Sequence, residues 1–316
     1  MLLKTLIGAV SALLLAVLVG CGGGDSSSGD KPSADKNAAP NSPEVKKLLR
    51  ETFGPNDKAT SGNISGIIDL TVKGLPRYKE PIQISFVGPF TDAGGQPEAM
   101  LDVSLKLRGG ILGGDIYLKG DEAFIGLGTT AFQIPASIAT PLRKPLADTG
   151  NPLGAVLGVF SIHPEKWAKN PRIVGNERIA GIDTIHGTAE IDTQALFLDL
   201  ATLAKRLTSL RITEITGLPR KVDRPARQAL SRSVTSATGD VYTGADDKVL
   251  RRAKFNMLIE PSAKDRRILG GFTSIKVAAN LDVTDVGAAQ KVNVPANRGS
   301  YDALQLSLDA LAEAVR

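Results

Sequence analysis

The stretch 99-AMLDVSLKLR-108 decides the fold. Ala99, Leu101, Val103, Leu105 and Leu107 alternate with Asp102, Ser104, Lys106 and Arg108. An extended chain turns successive side chains to opposite faces, so this pattern is a strand with one apolar side. The same reading extends in both directions. In 82–86, Ile82, Ile84 and Phe86 alternate with Gln83 and Ser85. In 63–73, Ile64, Ile68, Leu70 and Val72 oppose Asn63, Ser65, Asp69, Thr71 and Lys73, with Ile67 the exception. Downstream come Ile116 and Leu118, then Ala123, Ile125 and Leu127. Near the C-terminus the pattern returns in Phe255, Met257 and Ile259, and in Ile275, Val277, Ala279, Leu281 and Val283. The connections Gly109-Gly110, Gly120-Asp121 and Gly244-Ala245-Asp246-Asp247 are short. Short turns between alternating segments give antiparallel hairpins in a meander, not crossover units.

Helices interrupt the strands. Ser42 is a candidate N-cap, Pro43 suits the first helical position, and Val45, Leu48 and Leu49 give that helix an apolar side. In 193–210, Leu196, Leu200, Leu203, Leu207 and Leu210 fall on one stripe, with Asp192 or Thr193 as cap. A weaker helix runs from about Asp223 to Val234, and Leu304, Leu308, Leu311 and Val315 mark another over 300–316, capped by Ser300. Pro135, Pro141, Pro145 and Pro152 break 134–160 into loops and short pieces. The expected architecture is α+β: a large, strongly curved antiparallel β-sheet, a half-barrel, packed on helices over an apolar cavity. It is read as one domain over 43–316, with a division near residue 190 as the alternative.

Residues 1–20, MLLKTLIGAVSALLLAVLVG, have one cation, Lys4, and an apolar run from Leu6 to Val19. This is the form of an export signal. Leu18-Val19-Gly20-Cys21 matches a lipobox, and Cys21 is the chain's single cysteine. Cleavage before Cys21 and diacylglyceryl attachment to its thiol follow, which holds the protein on the extracytoplasmic face of the cell membrane. The run is short for a transmembrane helix of about 20 residues. Residues 22–42 are polar, with Gly, Ser and Pro, and have no apolar side chain larger than alanine or proline. Such a tether has an r.m.s. reach of about 25 Å. Losing Lys4 takes the formal net charge from +5 to +4. Aromatic residues make up only 4% of the chain, which argues against a nucleic-acid reader built on stacked rings.

Catalytic signals are weak. Gly62-Asn63-Ile64-Ser65-Gly66 places its serine one position late for a nucleophile elbow and lies in a strand. Gly126-Leu127-Gly128-Thr129-Thr130-Ala131 fits G-x-G-x-x-A, but Gln133-Ile134-Pro135 follows instead of a helix that would hold a pyrophosphate. His163 and His186 lack a second histidine or a cysteine at metal-ligand spacing. His163-Pro164-Glu165-Lys166-Trp167 reads as a capped helical turn, and Asp246-Asp247 as a hairpin turn. The expectation is a non-enzymatic protein without a cofactor.

Four stretches carry a family resemblance. The first is Trp167-Ala168-Lys169-Asn170-Pro171 followed by Gly175-Asn176-Glu177-Arg178-Ile179-Ala180-Gly181-Ile182-Asp183-Thr184-Ile185-His186. The second is Val241-Tyr242-Thr243-Gly244-Ala245-Asp246-Asp247-Lys248-Val249-Leu250-Arg251-Arg252. The third is Leu281-Asp282-Val283-Thr284-Asp285-Val286-Gly287 with Val292-Asn293-Val294-Pro295. The fourth is the lipobox and its polar tether. Together they resemble the LolA-like half-barrel lipoproteins of the actinobacterial LppX and LprG type. The resemblance implies a half-barrel over an apolar cavity, and carriage of lipids or acylated glycolipids across the cell envelope. Envelope transport proteins are the further candidate partners. The long 192–236 segment and the added 300–316 helix depart from that family, and each is a candidate to plug the cavity.

The cavity lining expected from alternation is Ile68, Leu70, Val72, Ile84, Phe86, Leu101, Val103, Leu105, Leu107, Ile125, Leu127, Met257, Val277 and Leu281. The 134–152 segment is a candidate lid. The competing function is an envelope sensing or protein-binding module on the same fold.

Overall fold

The computed structural model of the chain describes residues 40–53, 58–92, 97–107, 110–137, 139, 164–199 and 224–314. The stretch 1–20 expected as an export signal, Cys21 and almost all of the expected tether lie outside these residues. So do most of the 134–152 segment and the 200–210 part of the helix expected over 193–210.

In chain order the elements are α1 (Pro43–Phe53), β1 (Ser61–Lys73), a 3-10 turn (Pro76–Tyr78), β2 (Ile82–Asp92), β3 (Pro97–Leu107), β4 (Gly110–Lys119), β5 (Glu122–Leu127), β6 (Thr130–Gln133), α2 (Pro164–Trp167), β7 (Ala168–Ile179), β8 (Ile182–Ile191), α3 (Arg224–Ser233), β9 (Val234–Gly244), β10 (Leu250–Ile259), α4 (Ala263–Leu269), β11 (Ser274–Thr284), β12 (Asn297–Gly299) and α5 (Tyr301–Ala314). Residues 193–199 are also helical. The caps read from the sequence are in place. Ser42 Oγ accepts from the Val45 amide at 3.4 Å, Asp192 Oδ1 from Gln194 and Ala195 at 2.9 and 3.1 Å, and Ser300 Oγ from Ala303 at 3.2 Å.

All twelve strands form one sheet in the order β12-β6-β5-β4-β3-β2-β1-β11-β10-β9-β8-β7. It is two meanders, β1 to β6 and β7 to β11, joined where β1 pairs with β11 from Asn63↔Thr284 to Lys73↔Ser274. The sheet does not close on itself, so the molecule is an open α+β half-barrel. One expectation needs correction: the sheet is mixed. β12 runs parallel to β6, through Asn297↔Thr130 to Gly299↔Phe132, because it is reached by a crossing segment and not by a hairpin.

The sheet has two ends. At the lower end β1, β3, β8 and β10 finish and β2, β7, β9 and β11 begin, and α2, α3, α4 and the 3-10 turn gather there. The inner face carries the main core, where Ile64, Ile68, Leu70, Val72, Ile84, Phe86 and Leu101 meet Met257, Ile259, Ile275 and Val277. From the lower-end helices Leu196, Phe197, Ala229, Leu230 and Leu269 enter the same cluster. Burying each large side chain here contributes about 1.5–3 kcal/mol. Ile67, the exception to the alternation, is exposed on the outer face.

The outer face departs from the simple picture of one wet side. Tyr117, Phe124 and Ala131 are buried there with Met100 and Val294 packed on them. The 285–296 segment crosses this surface: Lys119 Nζ donates to the Val292 carbonyl at 3.0 Å, and the Arg298 guanidinium lies 4.4 Å over the Phe124 ring. Phe124 therefore alternates correctly but is covered by later chain.

Candidate functional site

Two cross-strand rows explain where the apolar groove lies. One runs Ala189–Gly239–Phe255–Ala279–Ile68–Ile84–Leu105 across β8, β9, β10, β11, β1, β2 and β3. The next runs Gly187–Val241–Ala253–Leu281–Gly66–Phe86–Val103. On β1–β3 the rows carry large side chains, and even Gly66 is roofed by the Phe86 ring, which would lie 2.2 Å from a methyl added there. On β8–β11 they carry mostly glycine and alanine. A methyl at Gly187 or Gly239 would meet side-chain tips of Val241 or Ile191 at 3.2 and 3.1 Å.

Over this floor of small residues lies α1. Val45 and Leu48 pack on Ile173, Ile185 and Ala245 and hold the helix against β7 and β8. Thr52 Oγ1 donates to the Leu48 carbonyl at 2.7 Å, and its oxygen lies 2.7 Å from Thr243 Oγ1, which ties the C-terminal turn of α1 to β9. The helix cannot sink further onto the sheet, because Leu48, Leu49 and Phe53 already stand on it. A groove of about 180 Å³ remains between them. Its roof is Val45, Leu48, Leu49 and Phe53, and its lower-end wall is Trp167, Ala168, Pro171 and Ile191. The floor is Gly187, Ala189, Gly239, Val241, Leu250, Ala253, Phe255 and Leu281. Arg172, Thr188, Asp240 and Lys254 complete the boundary. Trp167 is fixed at the wall by its indole, which donates to Asp199 Oδ2 at 2.9 Å. A dry cavity of about 150 Å³ already takes a small aromatic hydrocarbon, so this groove has room for a stretch of hydrocarbon and falls short of the roughly 300–1,000 Å³ of a typical ligand pocket.

Behind the floor, on the outer face, His186 bridges two strands. Its Nδ1 lies 2.8 Å from Glu177 Oε1 on β7 and its Nε2 3.0 Å from Asp240 Oδ1 on β9. The ring stacks on Tyr242 with centroids 4.3 Å apart. Burial, and then the charges of Glu177 and Asp240, push the Tyr242 phenol up from its ordinary pKa. This cluster locks β7, β8 and β9 together and offers no nucleophile. Gly62–Gly66 lies within β1, and Gly126–Ala131 spans the β5–β6 turn, so neither stretch begins a helix. Asp247 accepts from the Val249 amide at 3.0 Å and pairs with Arg251, as a turn residue does. Among the described residues no three His, Cys, Asp or Glu side chains are arranged to hold a metal ion.

Of the lining expected from the alternation, Leu281 borders the groove. Ile68, Leu70, Val72, Ile84, Phe86, Leu101, Met257 and Val277 are buried within the main core, and Val103 and Leu105 are half-buried against it. Ile125 and Leu127 are half-buried on β5, and Leu107 ends β3. Cys21 lies outside the described residues. Of the rest of the lining, Phe255 lies on an alternating stretch and Val45, Leu48 and Leu49 on the apolar side of α1, while the glycines and alanines of the floor mark no apolar face. The signal for those small residues was their grouping in 187–189, 237–239 and 253.

No family model matches the chain, and no curated protein does. Among solved structures it is similar to LprF from Mycobacterium bovis, at 16% identity over 82% of this chain and 100% of that one, with a TM-score of 0.40. It is similar to the lipoprotein LppX from Mycobacterium tuberculosis, at 14% identity over 80% of this chain and 100% of that one, TM-score 0.39. A LolA superfamily protein from Nitrosomonas europaea matches at 10% identity over 78% of this chain and 94% of that one, TM-score 0.23. Among the described residues no helix is long and apolar enough to cross a membrane.

Proposed function

We propose that the chain is a lipoprotein, acylated on Cys21 and anchored on the extracytoplasmic face of the membrane, that holds the hydrocarbon of a lipid or acylated glycolipid and carries it across the cell envelope. The observation that carries this reading is the groove under α1, roofed by Leu48, Leu49 and Phe53 and floored by Gly187, Ala189 and Gly239. A hydrocarbon segment of about six methylenes buried there gains roughly 5 kcal/mol at about 0.8 kcal/mol per CH₂. The process is partition, with no bond made or broken. Leu281 touches the ligand, and the β1–β3 aliphatics form the packed body beside it.

The modest volume favours a second reading, an envelope sensing or protein-binding module, in which the groove seats a single side chain of a partner. Native mass spectrometry of the protein purified from membranes separates the two. The carrier reading expects a co-purifying lipid that is lost in Ala189→Trp. An adduct-free protein that binds no acyl lipid would transfer the case to the sensing module.

A further inference from the structure

A strongly one-sided group of charges lies away from the groove. α3 carries Arg224, Arg227 and Arg232, and α4 carries Lys264, Arg266 and Arg267. Arg227 is half-buried and the other five are exposed. Against these six cations the segments 224–233 and 260–270 hold two carboxylates, Glu260 and Asp265. Asp265 is already occupied: Arg232 Nη2 donates to its Oδ1 at 2.8 Å and Ser262 Oγ to its Oδ2 at 2.9 Å. The platform is firm, since Ala229, Leu230 and Leu269 are buried in the main core directly beneath it.

A second observation gives this face its direction. The chain arriving from the N-terminus reaches the body at β7, where the Asn41 amide donates to the Pro171 carbonyl at 2.9 Å and Asn41 Nδ2 to Asn170 Oδ1 at 3.4 Å. Asn170 and Pro171 are at the lower end of the sheet, the end that bears α3 and α4. With the reach of about 25 Å expected from the composition of 22–42, anchoring on Cys21 would bring this end, and with it the basic face, toward the membrane.

We propose that the α3–α4 face docks on the anionic headgroups of that membrane, so that the anchored body stands on its lower end with the Trp167 wall of the groove turned toward the bilayer. The proposal rests on the anchored-lipoprotein reading and is independent of what the groove holds. Each basic residue beside an anionic surface strengthens association roughly fivefold, and the attraction is screened within about 10 Å at 0.1 M salt.

The test uses the mature chain carrying Cys21→Ser, so that no acyl group supplies binding and a failure of the anchor reading cannot imitate a failure of docking. Sedimentation is measured with vesicles of phosphatidylcholine containing about a third phosphatidylglycerol, and with pure phosphatidylcholine. The expected result is salt-sensitive binding to the anionic vesicles alone, weakened about tenfold or more by Lys264→Glu with Arg267→Glu. Arg178→Glu with Lys291→Glu, which reverses two charges at the upper end, leaves it unchanged. Melting temperature confirms that both double variants fold. No binding to anionic vesicles, equal binding to neutral ones, or equal loss in the two double variants would overturn the proposal.

Discussion

The same cross-strand row reads Ile68, Ile84 and Leu105 over β1–β3, and Ala279, Gly239 and Ala189 over β11, β9 and β8. Backbone geometry is alike in the two regions, since both are antiparallel and both present one face to helices. What differs is side-chain volume. Where it is large the face closes into core, with Leu101 at 1% exposure. Where it is small, a helix propped on its own leucines cannot reach the floor. A groove is thus made by subtraction along cross-strand rows that run unbroken from β8 to β3.

The sharpest way to break this contrast is truncation on each side of it. Leu101→Ala is expected to cost about 2–5 kcal/mol, because it opens a cavity in packed core. Val241→Ala, in a floor already bordering empty space, is expected to cost under about 1.5 kcal/mol. Denaturant midpoints compare the two, and equal losses would mean that the groove is core as well.

Enlargement probes the same contrast from the other direction. Val103→Trp overpacks the filled region at about 1–3 kcal/mol, whereas Ala189→Trp places its ring in the groove and costs less than about 1 kcal/mol. Retention of a fluorescent acyl lipid should survive in the first protein and vanish in the second. The reverse pattern would move the ligand to the β3 face.

A smaller effect is expected at the roof. Thr52→Val leaves the buried Thr243 hydroxyl without its α1 partner, a loss of about 1 kcal/mol. Amide exchange over 43–53 should quicken while the β1–β3 core stays protected.

The smallest concerns the outer face of the filled region. Burial first, then the hydrogen bond to Asp115 and the charges of Asp115 and Asp102, push the Tyr117 phenol up to about 12. A folded pKa above the unfolded one gives stability that is whole below pH 10 and is lost as pH rises through about 12. Tyr117→Phe should flatten that alkaline decline, read as melting temperature against pH.

The filled region was legible in the sequence and the groove was not, for one physical reason. Strands β1 to β5 announce themselves because Ile, Leu and Val at every second position must be buried somewhere. In β7 the period is broken by bulges between Lys169 and Arg172 and between Ile173 and Gly175. In β8 and β9 Gly187, Ala189, Ala237 and Gly239 stand at inward positions and show no hydrophobic period. Alternation therefore located the apolar face of the sheet, most of which is packed in the main core while Leu281 borders the groove. The caps Ser42, Asp192 and Ser300 were readable because each acts within three residues. The burial of Phe124 was not, since its cover comes from residues 285–296, far along the chain.

The β1–β11 seam also governs how the molecule is made. Asn63 Nδ2 donates to Asp285 Oδ2 at 2.8 Å across a sequence separation of 222. β1 is the first strand to be synthesised and β11 nearly the last, so β1 can form its hairpin with β2 early while its other edge waits for almost the whole chain. Contacts this distant make assembly slow, because the loop must close before any pairing compensates for it. During that interval the exposed ladder of 63–73 is a template for any passing strand. The central seam thus couples completion of the half-barrel to completion of the chain, and a chain cut short before residue 274 would leave the β11-facing edge of β1 unpaired.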